Sequence, residues 1–382
     1  RIRAAHANRT PLILQGGGSK TFYGNADEGE VLNTRVLTGV VDYQPKELVL
    51  TARAGTPLVE IEALLTGQNQ MLAFEPPHFD GAATLGGCIA AGLSGPRRPY
   101  AGAARDFVLG VRLIDGTGQA LRFGGQVIKN VAGYDVSRLM VGALGTLGLL
   151  TEVSLKVLPR PKAETTLQFE LAEAAAILKM NQWAGQPLPL SATSWHAGLL
   201  IVCGRPGLAG AAFGLGLSIK IPGLLALPAL LLALPGSRER LRFGASGSAS
   251  AVQVAQAKLV GETLKDASAF WQRLSDQATP FFDKRPLWRL AVKSTTPPLQ
   301  LGDAQWVEWG GAVRWLASDL PAAALREAAR TAGGHATLFR GNAPADGVFA
   351  PLAPALATLH RNLKQRFDPE GIFNRGRLYP DF

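Results

Sequence analysis

The residues best suited to chemistry in this sequence are glycines. Gly16-Gly17-Gly18 directly follows a short apolar run, Pro11 to Leu14, and is itself followed by Ser19 and Lys20. Successive glycines let backbone N–H groups converge on one point, and the hydroxyl and ammonium add to that nest, so the segment reads as an anion site. A plain glycine turn would use the same residues. Further segments tip the balance. Glu75-Pro76-Pro77, Ala83-Thr84-Leu85-Gly86-Gly87 and Gly92-Leu93-Ser94-Gly95 make one long, stiff stretch able to lie along an extended dinucleotide. Lys129 to Asp135 (K-N-V-A-G-Y-D) and Gly142 to Gly148 (G-A-L-G-T-L-G) continue the pattern. Four such strand-adjacent sites in one domain are hard to explain as unrelated turns. The G-x-G-x-x-G spacing of a Rossmann loop and its downstream acid are absent.

Among titratable residues, His335 and Arg340 share the expected strand Gly334 to Arg340. An Arg there would clamp a substrate carboxylate with two parallel hydrogen bonds, and a His would take a hydroxyl proton. His335 reads equally well as a packed histidine, and His78, beside the Pro-Pro loop, is a second candidate base. The two cysteines, Cys88 and Cys203, sit far apart in apolar surroundings. Two thiols are too few for an iron–sulfur cluster or a disulfide framework, so a reducing, cytoplasmic setting is expected. No metal site is expected.

These residues need elements to hold them. Pro11–Leu14 and Glu47–Ala52 read as strands. A helix is expected from Pro57 to Leu65, with Leu58, Ile61, Leu64 and Leu65 on one face. Phe107–Ile114 and Ala120–Phe123 read as a hairpin about Asp115-Gly116-Thr117-Gly118, and Leu147–Leu158 as a last strand closed by Pro159-Arg160-Pro161. Beyond it, helices at Ala172–Trp183, Ser250–Leu274 and Pro321–Arg330 alternate with strands at Trp288–Val292 and Val313–Leu316. That mixture suits an antiparallel sheet with helices on one face. A final helix carries Leu356, His360, Leu363 and Phe367 at core spacing and stops at Asp368-Pro369. The implied domains are 1–160, 161–350 and a tail, 351–382.

The chain has 382 residues, 47% of them hydrophobic and 18% charged, which is enough for two cores. Its formal charge of +10 attracts anions, yet the basic residues are scattered and no nucleic-acid motif appears. No signal peptide is read at the start, and an opening Arg1 implies residues ahead of it. Gly198 to Pro235 is almost wholly apolar, but Lys220, Pro222 and Pro228 interrupt the roughly 20 apolar residues a membrane span needs. A partner-docking or surface-dipping insertion is the expectation, with peripheral association at the inner face of the cell membrane.

In order along the chain, the glycine loop, T-L-G-G, S-G-P-R-R-P, G-x-x-x-D-x-V-L-G, K-N-V-A-G-Y-D and G-T-L-G resemble the vanillyl-alcohol-oxidase (PCMH) type of FAD-binding domain. More narrowly, with Gly333-Gly334-His335-Ala336-Thr337 and Phe367 to Asn374, the chain is similar to the FAD-binding subunit of bacterial glycolate oxidase. The resemblance implies an α+β fold: a PCMH-type FAD-binding domain plus a smaller α+β cap domain with an antiparallel sheet. It implies non-covalent FAD, since the glycine loop holds neither His nor Cys. Gly16, Gly17, Gly18, Ser19 and Lys20 would hold the pyrophosphate. Pro77, Thr84, Leu85, Gly86, Gly87, Ser94 and Gly95 would line pyrophosphate and flavin, with Gly145, Thr146, Leu147 and Gly148 close by. Arg105 and Asp106 would brace the site or form a surface ion pair.

The resemblance further implies oxidation of a small 2-hydroxy acid such as glycolate, with a sister FAD-binding catalytic subunit and an iron–sulfur subunit as partners. Related catalytic subunits carry an acid, a glycine and His-Gly near the C-terminus. Here Gly-Gly-His-Ala-Thr stands instead, so substrate oxidation on the sister subunit is the alternative. Other departures are Arg375 in place of Pro, Ala143 in place of Ser, and the apolar insertion.

Overall fold

The computed structural model describes residues 1–26, 28–79, 81–126, 135–186, 188–204, 262–302 and 305–380. The first helix, α1 (Ile2–Asn8), leads into a parallel pair of strands, β1 (Leu12–Gln15) and β2 (Glu30–Asn33). The next sheet is antiparallel and five-stranded. It comprises β3 (Val40–Gln44), β4 (Val49–Arg53), β6 (Val108–Ile114), β7 (Ala120–Gly124) and β8 (Leu149–Lys156), in the order β3-β4-β8-β6-β7. Leu50, Ala52, Val153 and Leu155 on its central strands are completely buried. The edge strand β7 alternates exposed and half-buried residues, as a strand with one wet face should.

Helix α2 (Leu58–Thr66) buries Leu58, Ile61 and Leu65 fully against this sheet. Leu64, expected on the same face, is 38% exposed, because it lies about 100° around the helix from Leu65. β5 (Gln70–Met71) follows, then α3 (Leu85–Ala91), whose cap residue Thr84 accepts a hydrogen bond from the Gly87 amide. Two single turns, α4 (Arg98–Ala101) and α5 (Ala104–Phe107), precede β6, and α6 (Val136–Leu139) precedes β8. The expected hairpin forms, with Asp115 accepting from the amides of Thr117 and Gln119 across its turn.

β9 (Leu158–Pro159) pairs back onto β5, and from there the chain builds a second, eight-stranded antiparallel sheet. Its strands are β10 (Thr165–Glu170), β11 (Leu190–His196), β12 (Leu199–Gly204), β13 (Glu262–Thr263), β14 (Leu287–Ala291), β15 (Gln305–Glu308), β16 (Val313–Ala317) and β17 (His335–Arg340). The order is β13-β10-β12-β11-β15-β16-β14-β17. Helices α7 (Glu173–Ala184) and α9 (Ala322–Thr331) pack on its outer face through two apolar clusters. The inner face faces the first domain through a third cluster, which joins Trp306, Trp315 and Phe339 to Tyr23, Phe79, Leu93 and Leu144.

Three expectations need correction. Leu199 to Gly204 are not part of an apolar insertion but form the buried strand β12; the remainder of that segment, 205–235, lies outside the described residues. The long helix expected from 250 to 274 is not continuous. Residues 250–261 are outside the described set, β13 occupies 262–263, and α8 (Ala267–Ser275) starts after Asp266 in a left-handed conformation. Finally, α10 (Pro354–Phe367) is not a core helix along its length. Leu356 is 50% exposed, and only the C-terminal end packs, through Lys364 and Phe367. Among the described residues no helix is long and apolar enough to cross a membrane.

Candidate functional site

The glycine segments converge. Gly16 and Gly17 lie against the segment that opens α3: a Cβ on Gly16 would strike the Thr84 hydroxyl, and one on Gly17 would collide with the Ala82 carbonyl. Gly86 sits 2.8 Å, measured from an added Cβ, from the Ala54 methyl. Side chains are excluded there by packing as well as by backbone freedom. A narrow cleft of about 60 Å³ opens beside these contacts. Gly16, Gly86, Gly87, Gly145, Leu147 and Gly148 all line it, as do Ala143 and Asn374. Residues as far apart in sequence as Gly16, Gly145 and Asn374 thus share one wall.

The rest of the expected set is distributed differently. Lys20 hydrogen-bonds Ser19 Oγ at 3.2 Å and lies over the Phe79 ring. Gly18 adopts φ +78 in the turn. Leu85 is buried in the domain core and does not line the cleft. The Thr146 hydroxyl turns inward to the Ala143 carbonyl, and its own carbonyl accepts from Lys364. Arg105 and Asp106 are exposed; Asp106 caps α5 through the Ala103 amide, and neither residue lines the cleft or pairs with the other. Lys129 to Tyr134 lie outside the described residues.

Pro77, Ser94 and Gly95 line a second, small cavity, of about 20 Å³, between the first domain and the inner face of the cap sheet. The Ser94 hydroxyl accepts from the Ala104 amide, and the Gly95 carbonyl accepts from Trp309 Nε1 at 3.1 Å. Opposite them stand Arg289, Glu308, Trp309 and Trp315. Trp315 Nε1 donates to Glu308 Oε1 at 2.7 Å. Burial pushes the Glu308 carboxyl up to about 7, although the Trp315 hydrogen bond and Arg289 pull the other way. Arg289 lies over the Trp309 ring at 4.9 Å, and Arg98 over the same ring at 4.3 Å. Trp309 takes φ 55, an uncommon conformation for a bulky residue, in the turn that swings its indole between the two domains.

The structure does not assemble the expected catalytic pair. His335 begins β17, exposed, and Arg340 ends it, so five residues of strand, roughly 16 Å, separate them. Arg340 is committed to packing: it bonds the Phe282 carbonyl and lies over Phe22, Phe79 and Phe339. Burial lowers its pKa to about 10. His78 is bound to Glu62 at 3.1 Å, and that hydrogen bond raises its pKa. Cys88 and Cys203 are buried thiols whose pKa values burial lifts to about 12 and about 11, which makes both unreactive.

Sequence reasoning missed Arg98, Arg289, Glu308, Trp309 and Trp315. The strand carrying Arg289 was legible. Its inward-facing side was not, because that depends on pairing with β16 and β17.

Comparison with known proteins now gives the class. Residues 1–124 match the family model described as an FAD binding domain. Structures of alkyldihydroxyacetonephosphate synthase superpose on 98% of this chain and 74% of theirs with a TM-score of 0.58, at 17% identity, a likeness of fold. The family match, with the glycolate oxidase subunits and D-lactate dehydrogenase among the chain's relatives, makes the chain an FAD-dependent oxidoreductase. Over 381 residues the sequence is 44% identical to the glycolate oxidase subunit GlcE of Escherichia coli K12, covering all of this chain and 96% of that one. The chain belongs to the GlcE family. It is also 31% identical to the glycolate oxidase subunit GlcD of Bacillus subtilis, over 44% of this chain and 37% of that protein.

The cleft walls fit FAD. The positions where a Cβ would intrude, Gly16, Gly17 and Gly86, form the crowded flank of a lined cavity, and the cavity itself is bounded by aliphatic side chains and glycine backbone.

Proposed function

We propose that this chain is the GlcE-type subunit of a glycolate-oxidase complex, holding FAD non-covalently and acting in the oxidation of a small 2-hydroxy acid, glycolate to glyoxylate. The supporting observation is the convergence of Gly16–Gly17, Gly86–Gly87 and Gly145–Gly148 on one cleft, in a chain similar to GlcE along its whole length. Gly16 to Lys20 would hold the pyrophosphate, and the Leu85 to Gly95 segment would carry the cofactor from the cleft to the cap. Bound FAD supplies the acceptor for hydride from the α-carbon of the acid. The chain orients the acid and keeps solvent out beneath the inner face of the cap sheet.

The electrons would leave through partner chains, a sister flavin subunit and an iron–sulfur subunit, because two buried cysteines cannot build a cluster. Purified alone, the chain is expected to be yellow, to release its FAD on acid precipitation, and to turn over glycolate with a quinone-like acceptor little or not at all. Co-expression with both partners should restore turnover. Full turnover by the isolated chain overturns the electron-flow reading, and a chain that takes up no FAD overturns the cofactor reading.

One observation favours a second reading, in which the sister subunit oxidises the substrate and this chain only holds or relays. His335 and Arg340 stand at opposite ends of β17 and cannot grip one small molecule together.

A further inference from the structure

We propose that Trp309 is a positioning residue for the cofactor: the cap sets its indole across the domain boundary against the Gly95 carbonyl and so fixes one end of the segment that would carry FAD. The proposal rests on the function proposed above, in which the Leu85 to Gly95 segment holds the cofactor, and names the side chain that sets that segment.

The first argument is the turn on which Trp309 stands. Trp309, Gly310 and Gly311 join β15 to β16 and take φ 55, 66 and 101 in succession. Left-handed backbone is unfavourable for a bulky residue and is entered freely by glycine alone. Antiparallel neighbours such as β15 and β16 can be reversed by glycine and asparagine, so reversal of the chain does not account for the indole.

The cap over-determines this turn. Thr193 Oγ1 accepts from the Gly310 amide, Asn181 Nδ2 donates to the Gly310 carbonyl, and Arg314 Nε donates to the Gly311 carbonyl. Arg314 is itself fully buried and paired with Glu173. A Cβ on Gly311 would strike the Ser294 carbonyl. Backbone held in a sparsely populated region by so many buried contacts marks a place where geometry is used.

The second argument is where the indole goes. It leaves the cap, and its Nε1 donates to the Gly95 carbonyl of the first domain at 3.1 Å. Arg98 from the first domain and Arg289 from β14 both lie over its ring, at 4.3 and 4.9 Å. Tryptophan offers cations the best face of any side chain, so the ring is gripped from both domains. Only 9% of the residue is exposed, and an unpaired N–H would be costly there.

The third argument is what Gly95 is joined to. Its amide donates to the Phe74 carbonyl, its carbonyl also accepts from the Arg98 amide, and an added Cβ would strike Glu75. At the other end of the segment, Gly86 and Gly87 line the glycine cleft. Between them lie α3 and Gly92, which packs against the Gly142 backbone, so a displacement at Gly95 is passed on rather than absorbed.

The test titrates FAD into the flavin-free full chain, following flavin fluorescence, the visible spectrum of the bound flavin, and denaturant unfolding with and without FAD. Trp309→Phe keeps a ring for Arg98 and Arg289 and removes the N–H. It should weaken FAD binding about fivefold, the worth of one neutral hydrogen bond, and shift the visible bands of the flavin. Trp309→Leu should weaken binding further, and Trp309→His, which returns a donor on a smaller ring, should recover affinity over Trp309→Leu. Trp309→Phe carries the test if the leucine variant does not fold. A pin that only holds the domains together would lower stability equally with and without FAD and leave affinity and spectrum unchanged, and that result overturns the proposal. A wild type that takes up no FAD overturns both this proposal and the reading beneath it. Variants that match a flavin-binding wild type overturn this proposal alone.

Discussion

The glycine cleft and the cap cavity are built from different materials. The glycine cleft is made of backbone: its walls are glycines, alanines and leucines, and its shape depends on atoms that are missing. The cap cavity is walled largely by side chains, with an arginine, a buried acid and two indoles brought together by the cap sheet and the turn after β15. A backbone site writes itself into the sequence, because glycine is conspicuous and each replacement is penalised where it stands. A side-chain site is assembled by tertiary pairing, and its members look ordinary one at a time.

That contrast breaks most decisively at Gly17. A valine there would drive its Cβ into the Ala82 carbonyl, so Gly17→Val should yield protein with no bound flavin, as measured by released FAD per chain. Full flavin content would show that the cleft does not depend on this close approach.

The next largest effect concerns what braces the cleft from behind. Lys364 is buried, paired with Asp368 at 2.7 Å, and donates to the carbonyls of Thr146 and Phe373. Lys364→Met leaves Asp368 buried without its cation and should cost about 3–5 kcal/mol of stability in denaturant unfolding. A loss below about 1 kcal/mol would show that the amides of Ile372 and Phe373 suffice to hold Asp368.

The cap cavity should show a smaller, pH-shaped effect. Glu308 has a folded pKa near 7 against an ordinary value of 4.5, so the native state binds its proton more tightly than the unfolded chain does. Stability therefore falls as pH rises from about 4.5 to 7 and levels off above, a loss of about 3 kcal/mol at most. Glu308→Gln should remove that slope, read as the difference between wild-type and variant melting profiles. Parallel profiles would place Glu308 in water rather than in a covered cavity.

Least affected should be Arg105→Ala. Arg105 is exposed and away from the cleft, so flavin content should not change and stability should move by no more than about 0.5 kcal/mol. Lost flavin would restore Arg105 to the site.

The same contrast explains how much was legible beforehand. The first sheet apart from its edge strand β3, α2 and the glycine segments could be read because their signals are local: apolar runs, turn glycines and a helical stripe. Five of the eight strands of the cap sheet, β10 to β13 and β15, could not. Leu199–Gly204 is as apolar as the segment that follows it, and only its pairing with β10 and β11 marks it as a strand. His335 and Arg340 show a related limit: a shared strand is legible in sequence, but a strand of six residues keeps its two ends apart. Arg97 and Arg98 adjoin in sequence, yet one ties Glu75 to Glu164 across the domain boundary and the other lies on Trp309.

One contact at the end of the chain governs when the cleft can exist at all. The Asn374 side chain accepts from the Leu14 amide and donates to the Leu144 carbonyl, while Leu12 pairs with Phe373. Both walls of the cleft are thus stitched by residues that leave the ribosome hundreds of residues after the glycine loop they anchor. A nascent chain can fold its first sheet early, but it cannot close this cleft before Asn374 has emerged. Flavin uptake then becomes a record of completed synthesis, and a chain truncated just short of Phe373 would be colourless even with every glycine motif intact.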